Sequence, residues 1–175
     1  MGTHMPFKQP RRFTPSTGRP QPWDLAAILP CAKALHATAE TGRIATLLHG
    51  RHIALLCGSP TAADDSEEDG LLKDAATRLG AQVAQITPGL WIGYEPGEIR
   101  QLAGVLERLY AAVACQGMPR DTVRRIAEAT SIPVYDCITA DDHPTAALAN
   151  LLEVDATPDE KRRLVLQAVL LTTIS

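Results

Sequence analysis

Ser59, Thr61 and His143 are the residues whose types and places invite chemistry. The first two lie in the stretch 52–80, HIALLCGSPTAADDSEEDGLLKDAATRLG. It reads as a buried strand, a turn and the start of an amphipathic helix. In an open α/β sheet that junction receives anionic ligands, because strand ends and helix amides converge there. Yet Asp64, Asp65, Glu67, Glu68 and Asp69 follow at once, charged to refuse a phosphate. The acidic run superficially echoes a calcium loop, but its twelfth position would be Ala76 and not the bidentate Glu, so a solvated helix start is the better reading.

His143 precedes Pro144 and an apolar helical run. It reads either as a ligand-facing imidazole or as a helix-start residue. Cys57, Cys115 and Cys137 fall near the C-terminal ends of consecutive strands. In a sheet of order 2-1-3-4 those strands are neighbours, and with His143 they could form a Cys₃His cluster. Small buried cysteines are the alternative. Their spacing matches no zinc signature, so no metal is assigned, and no cofactor is implied.

The elements that must position these residues form a β-α alternation. Strands are expected over 53–57, 82–86, 111–115 and 133–136. The intervening helices should bury Leu71, Leu72, Ala75, Ala76 and Leu79, then Ile99, Leu102, Val105, Leu106 and Leu109, then Val123, Ile126 and Ala127. Ala147, Leu148, Leu151 and Leu152 form the inner face of the helix after Pro144. Apolar strands with short links argue a three-layer α/β domain, a four-stranded parallel sheet flanked by helices.

Upstream, the opening MGTHM reads as a cloning remnant. Residues 6–22, with five prolines among polar residues, read as a disordered arm. Asp24 can cap a helix carrying Leu25, Ile28, Leu29, Ala32 and Leu35, which Pro30 should kink or break and Gly42 should stop. At the other end Thr157-Pro158-Asp159-Glu160 is a capping box with proline at the first helical position. The helix it opens is apolar nearly all round and needs cover on every side.

Lys plus Arg number 17 against 20 for Asp plus Glu, so no basic footprint for nucleic acid is present. No apolar run approaches the ~18 residues that cross a bilayer, and the cysteines show no disulfide framework, so a cytoplasmic protein is expected.

Several segments, in order, resemble the aspartate/ornithine carbamoyltransferase family. LLHGRHIALLCGSP is similar to the approach to the family's first strand, AATRLGA to the helix end before strand two, and YEPGEIRQLAGVL to the segment after its mobile loop. SIPVYDCITADDHPTAALANLL resembles the family's Val-Pro-Val-Ile-Asn…His-Pro-Cys-Gln-Ala-Leu-Ala-Asp-Leu-Leu. The resemblance covers residues 23–154 and implies the carbamoyl-phosphate-binding domain. Residues 155–175 resemble the family's C-terminal helix, which packs back on that domain. The amino-acid-binding domain that separates the two in the family is expected to be missing.

The resemblance also implies which residues should bind. The family holds phosphate with a Ser-Thr-Arg-Thr-Arg turn, and guanidinium forks suit phosphate geometry. Here the matching turn is Thr61-Ala62-Ala63-Asp64-Asp65, without arginine. Losing two charge-assisted hydrogen bonds weakens binding by about 3–6 kcal/mol, and a helix N-terminus returns at most ~2 kcal/mol. The arginines win that comparison. The family's arginine after strand three falls at Cys115, and the glutamine of His-Pro-Cys-Gln at Ala146. Ser59, Thr61, His143 and Pro144 are the ligand-binding candidates left, with His143 the one retained catalytic candidate. The resemblance thus implies a degenerate, non-catalytic subunit, a homotrimer or a partner of an active carbamoyltransferase. The alternative is a repurposed small-molecule site at the sheet edge, using His143 and a cysteine.

Overall fold

The computed structural model describes residues 25–39, 43–58, 67–86 and 95–174. The opening remnant, the arm, Asp24, Gly42, the turn 59–66 and the loop 87–94 lie outside the described residues. Helix α1 spans Leu25–Thr38, and a short 3₁₀ turn, Arg43–Thr46, leads to strand β1, His52–Cys57. Then come α2 (Glu67–Arg78), β2 (Gln82–Ile86), α3 (Pro96–Leu109), β3 (Ala112–Gln116), α4 (Arg120–Ala129), β4 (Val134–Asp136), α5 (Pro144–Leu151) and α6 (Pro158–Thr173).

The strands form one parallel sheet in the order β2-β1-β3-β4. In β1, residues 53–57 are wholly buried, as a central strand covered on both faces must be. Side chains alternate between two cores. Ile53, Leu55, Cys57, Ala112, Ala114 and Tyr135 pack beneath α1, α2, α5 and α6. Ala54, Leu56, Val113, Cys115 and Val134 pack beneath α3 and α4. This is the α/β architecture expected from the alternation of apolar runs, in the strand order 2-1-3-4 given above for the cysteine-bearing strands.

Three local expectations need correction. First, α1 runs uninterrupted through Pro30. Pro30 is exposed while Ile28, Ala32 and Leu35 are buried, so the rung that proline removes lies on the solvent side and packing holds the helix together. Second, Val105 and Leu109 on α3 are exposed at 52% and 60%, because Ile99, Ala103 and Leu106 set the buried face and the other two sit on its flank. Ala147 and Leu151 on α5, also expected inward, are exposed, because Thr145, Leu148 and Ala149 set its buried face. Third, β3 begins and ends one residue later than expected, so its last residue is Gln116.

Helix α6 is the most deeply enclosed element. Residues 164–170 are all buried, against α1, α2 and α5. Its cap is closed both ways: Thr157 Oγ1 accepts from the Glu160 N–H at 3.3 Å, and Glu160 Oε2 accepts from the Thr157 N–H at 3.0 Å. Burying Leu164, Val165, Leu166, Val169 and Leu170 contributes on the order of 10 kcal/mol. That equals the whole net stability of an ordinary domain, about 5–15 kcal/mol. Gln167, buried among them, donates to the Ala75 carbonyl at 3.3 Å, which satisfies its amide nitrogen.

The ends of β1 and β3 approach closely. The Gly58 N–H donates to the Gln116 carbonyl at 2.8 Å. A Cβ on Gly58 would lie 2.1 Å from the Gly117 carbonyl oxygen, a backbone atom that cannot swing away. Gly117 itself has φ +62°, the left-handed region that glycine tolerates. Gly58→Ala should therefore destabilise the fold by about 3 kcal/mol, read as a lowered urea midpoint; an unchanged midpoint would contradict the contact.

Candidate functional site

The sheet changes winding direction between β1 and β3, and in such sheets the carboxyl ends of the strands at that point open onto a ligand crevice. Here Gly58 and Gly117 bring the two chains together, and the side chains that follow outward are Cys115, Gln116, Asp136 and Cys137, with His143 on the loop after β4. Ser59 and Thr61 lie outside the described residues.

His143 is the N-cap of α5. Its Nδ1 accepts from the Thr145 N–H at 3.2 Å and lies 2.9 Å from Thr145 Oγ1, which itself donates to the Ile138 carbonyl at 2.7 Å. The neutral ring carries one N–H and one bare nitrogen, so it can donate through one and accept through the other. Burial lowers the imidazole from 6.5 to about 4, against the opposing pull of the Asp136 and Asp142 carboxylates. At neutral pH the ring is uncharged. Pro144 fills the first position of α5, exposed, and supplies a preset φ there.

The cysteines do not assemble. Leu56 pairs with Cys115 and Cys57 with Gln116, so Cys57 and Cys115 project from opposite faces of the sheet into different cores. Among the described residues no group of three or more His, Cys, Asp or Glu side chains is placed to hold a metal ion, and the Cys57, Cys115, Cys137, His143 cluster is not formed. Cys115 is buried, and desolvation together with Asp136 raises its thiol. It stays protonated and is a poor nucleophile. Cys57 is buried too, with its sulfur accepting from Gln85 Nε2 at 3.6 Å. Cys137 is half-buried and has φ +49°, a conformation that a non-glycine residue adopts at a cost of about 1 kcal/mol.

Gln116 is the residue that sequence reasoning missed. It ends β3, is 5% exposed, and donates through Nε2 to the Thr139 hydroxyl at 2.5 Å. The signal was the turn: Gly117 closes the strand, which makes Gln116, one place past Cys115, the residue at the strand end. Arg162 was also missed. It reaches from α6 to donate to the Thr139 carbonyl at 2.6 Å and to Asp141 Oδ1 at 2.7 Å.

Among the described residues the edge thus carries amide, hydroxyl and neutral imidazole groups beside carboxylates, with the Arg162 guanidinium held by Thr139 and Asp141. That set can hydrogen-bond a neutral polar group.

No family model matches the sequence. Solved structures do. The ornithine carbamoyltransferase from Pyrococcus furiosus superposes with a TM-score of 0.59 and 22% identity, over 75% of this chain and 41% of that one. The enzyme of the same name from Thermus thermophilus gives 0.57 and 28% over 75% and 43%. The catalytic subunit of M. jannaschii aspartate transcarbamoylase gives 0.56 and 20% over 73% and 41%. The chain therefore has a fold found in ornithine and aspartate carbamoyltransferases, and it spans less than half their length. No helix among the described residues is long and apolar enough to cross a membrane.

The lowered imidazole has a consequence for stability. Between pH 6.5 and about 4 the unfolded chain takes a proton at this histidine that the folded chain refuses. Stability supplied by the neutral ring is complete above 6.5 and is lost as the pH falls towards 4. Replacing His143 with Asn, which can still cap α5, should flatten that part of the urea-midpoint profile. An identical slope in both proteins would show that His143 is not desolvated.

Proposed function

We propose that this chain is a non-catalytic carbamoyltransferase-like subunit, which keeps the carbamoyl-phosphate-binding fold and has lost the cradle for the anion. The observation that carries this reading is the charge of the strand-end edge. The residues acting on His143 there are the Asp136 and Asp142 carboxylates. The turn that follows β1 in sequence adds Asp64 and Asp65 and no arginine. The end of β3 supplies the Gln116 amide, and Arg162 is held by Thr139 and Asp141.

On this reading the amino-acid-binding domain is absent and its flanking helices are joined. One feature supports it: residues 152–157 alone connect α5 to α6. Residues 152–157 leave no room for such a domain between α5 and α6, so none there supplies a surface for the amine that would attack carbamoyl phosphate. What remains is an assembly role, as a homotrimer or as a partner of an active carbamoyltransferase. The exposed Val105 and Leu109, one turn apart on α3, supply an apolar strip for such a contact.

Two experiments test this reading. Incubated with carbamoyl phosphate and either ornithine or aspartate, the protein should form no carbamoyl amino acid. Formation at a rate that falls when His143 is replaced would overturn the assignment. Light scattering at micromolar concentration, alone and with an active carbamoyltransferase, should show an oligomer, and Val105→Glu with Leu109→Lys should weaken it at least tenfold. A clean monomer in both mixtures would remove the assembly role.

A further inference from the structure

We infer that α6 is a brace for the candidate site, with Arg162 as a positioning residue that latches the 137–143 loop and so holds His143 at the strand edge. The loop carries little regular structure. Within it the backbone bonds are two turns, from the Ala140 N–H to the Cys137 carbonyl and from the His143 N–H to the Ala140 carbonyl, both 3.0 Å, and the Cys137 N–H ties its start to the Cys115 carbonyl at 2.8 Å. Side chains from three other elements hold it in place: Gln116 from β3 on Thr139 Oγ1, Thr145 from α5 on the Ile138 carbonyl, and Arg162 from α6 on the Thr139 carbonyl.

Arg162 differs from the other two because its bond carries a full charge and crosses from the C-terminal helix. Charge-assisted hydrogen bonds are about twice as strong as neutral ones. The arginine side chain is 26% exposed, whereas its second partner, Asp141, is 91% exposed. An exposed ion pair contributes little, so the Thr139 carbonyl, not Asp141, is the point of attachment. Thr139 is 1% exposed and receives both Gln116 and Arg162, one on its hydroxyl and one on its carbonyl. Pulling that residue away therefore disturbs two anchors at once.

The next residue, Arg163, turns the other way, to Asp74 on α2 at 3.7 Å, and Gln167 one turn on holds the Ala75 carbonyl. Helix α6 thereby ties the loop after β4 to the helix that follows β1. The seating of α6 sets their separation, so a change at the C-terminal helix reaches His143 without touching it.

Site-resolved amide hydrogen exchange on the full chain tests the latch. In Arg162→Met the Ala140 and His143 amides should exchange at least tenfold faster, while amides of β1 and β3 keep their wild-type rates. Arg162→Lys keeps the charge but loses the guanidinium fork, and should show the same local pattern to a lesser degree. Asp141→Asn should leave the rates unchanged. In both Arg162 variants His143, faced by Asp136 on β4 and Asp142 in its own loop, should titrate closer to 6.5 as water reaches the ring. Wild-type exchange in Arg162→Met, acceleration spread evenly over the sheet, or an Asp141→Asn effect equal to that of Arg162→Met would each overturn the inference.

Discussion

The burial of α6 is the constraint on which the rest of the molecule rests. One face of the sheet, carrying Ile53, Leu55, Cys57 and Ala114, has to be covered, and α1, α2 and α5 do so only with α6 set among them. A helix enclosed over seven consecutive residues, 164–170, cannot be an accessory to the domain. Its polar residues are spent on holding its neighbours: Gln167 on α2, Arg163 on Asp74, Arg162 on the loop that carries His143. Stability and site geometry therefore run through the same element.

The edge that α6 holds is where fold and chemistry part. The topology delivers strand ends, a switch of winding direction and a neutral imidazole, the arrangement on which doubly wound sheets build ligand sites. On the proposed reading, the groups placed there do not suit the ligand class that the fold resemblance implies. Desolvation keeps His143 uncharged and Cys115 protonated, and the nearby carboxylates do not change either outcome. Fold likeness at this level fixes the scaffold, and the chemistry has to be argued from the side chains that the scaffold presents.

Much of that scaffold was legible in the sequence. Continuous apolar runs such as 53–57 mark strands buried on both faces, and their spacing by amphipathic helices leaves a parallel sheet as the economical solution. The capping box at Thr157 and the apolarity of the following helix announced an enclosed element. Which face each cysteine takes was not legible, because parity depends on the register between strands, and Leu56 pairing with Cys115 sends Cys57 to the other side. Nor was the exposure of Val105 and Leu109, since periodicity gives the width of an apolar stripe but not how much of it the sheet can cover. Gln116 was hidden by a boundary one residue off, and Arg162 by its distance in sequence, 23 residues from the carbonyl it holds.

The central claim is that a fold found in carbamoyltransferases is here retained without its anion cradle. A phosphorus NMR titration of carbamoyl phosphate with this protein, at low ionic strength where residual attraction would be greatest, tests it most directly. The account predicts a resonance that keeps its position and width at millimolar ligand, in the presence of protein at comparable concentration. Saturable broadening or a shift that disappears with added salt would show that guanidinium or ammonium groups still converge above β1, and would contradict it.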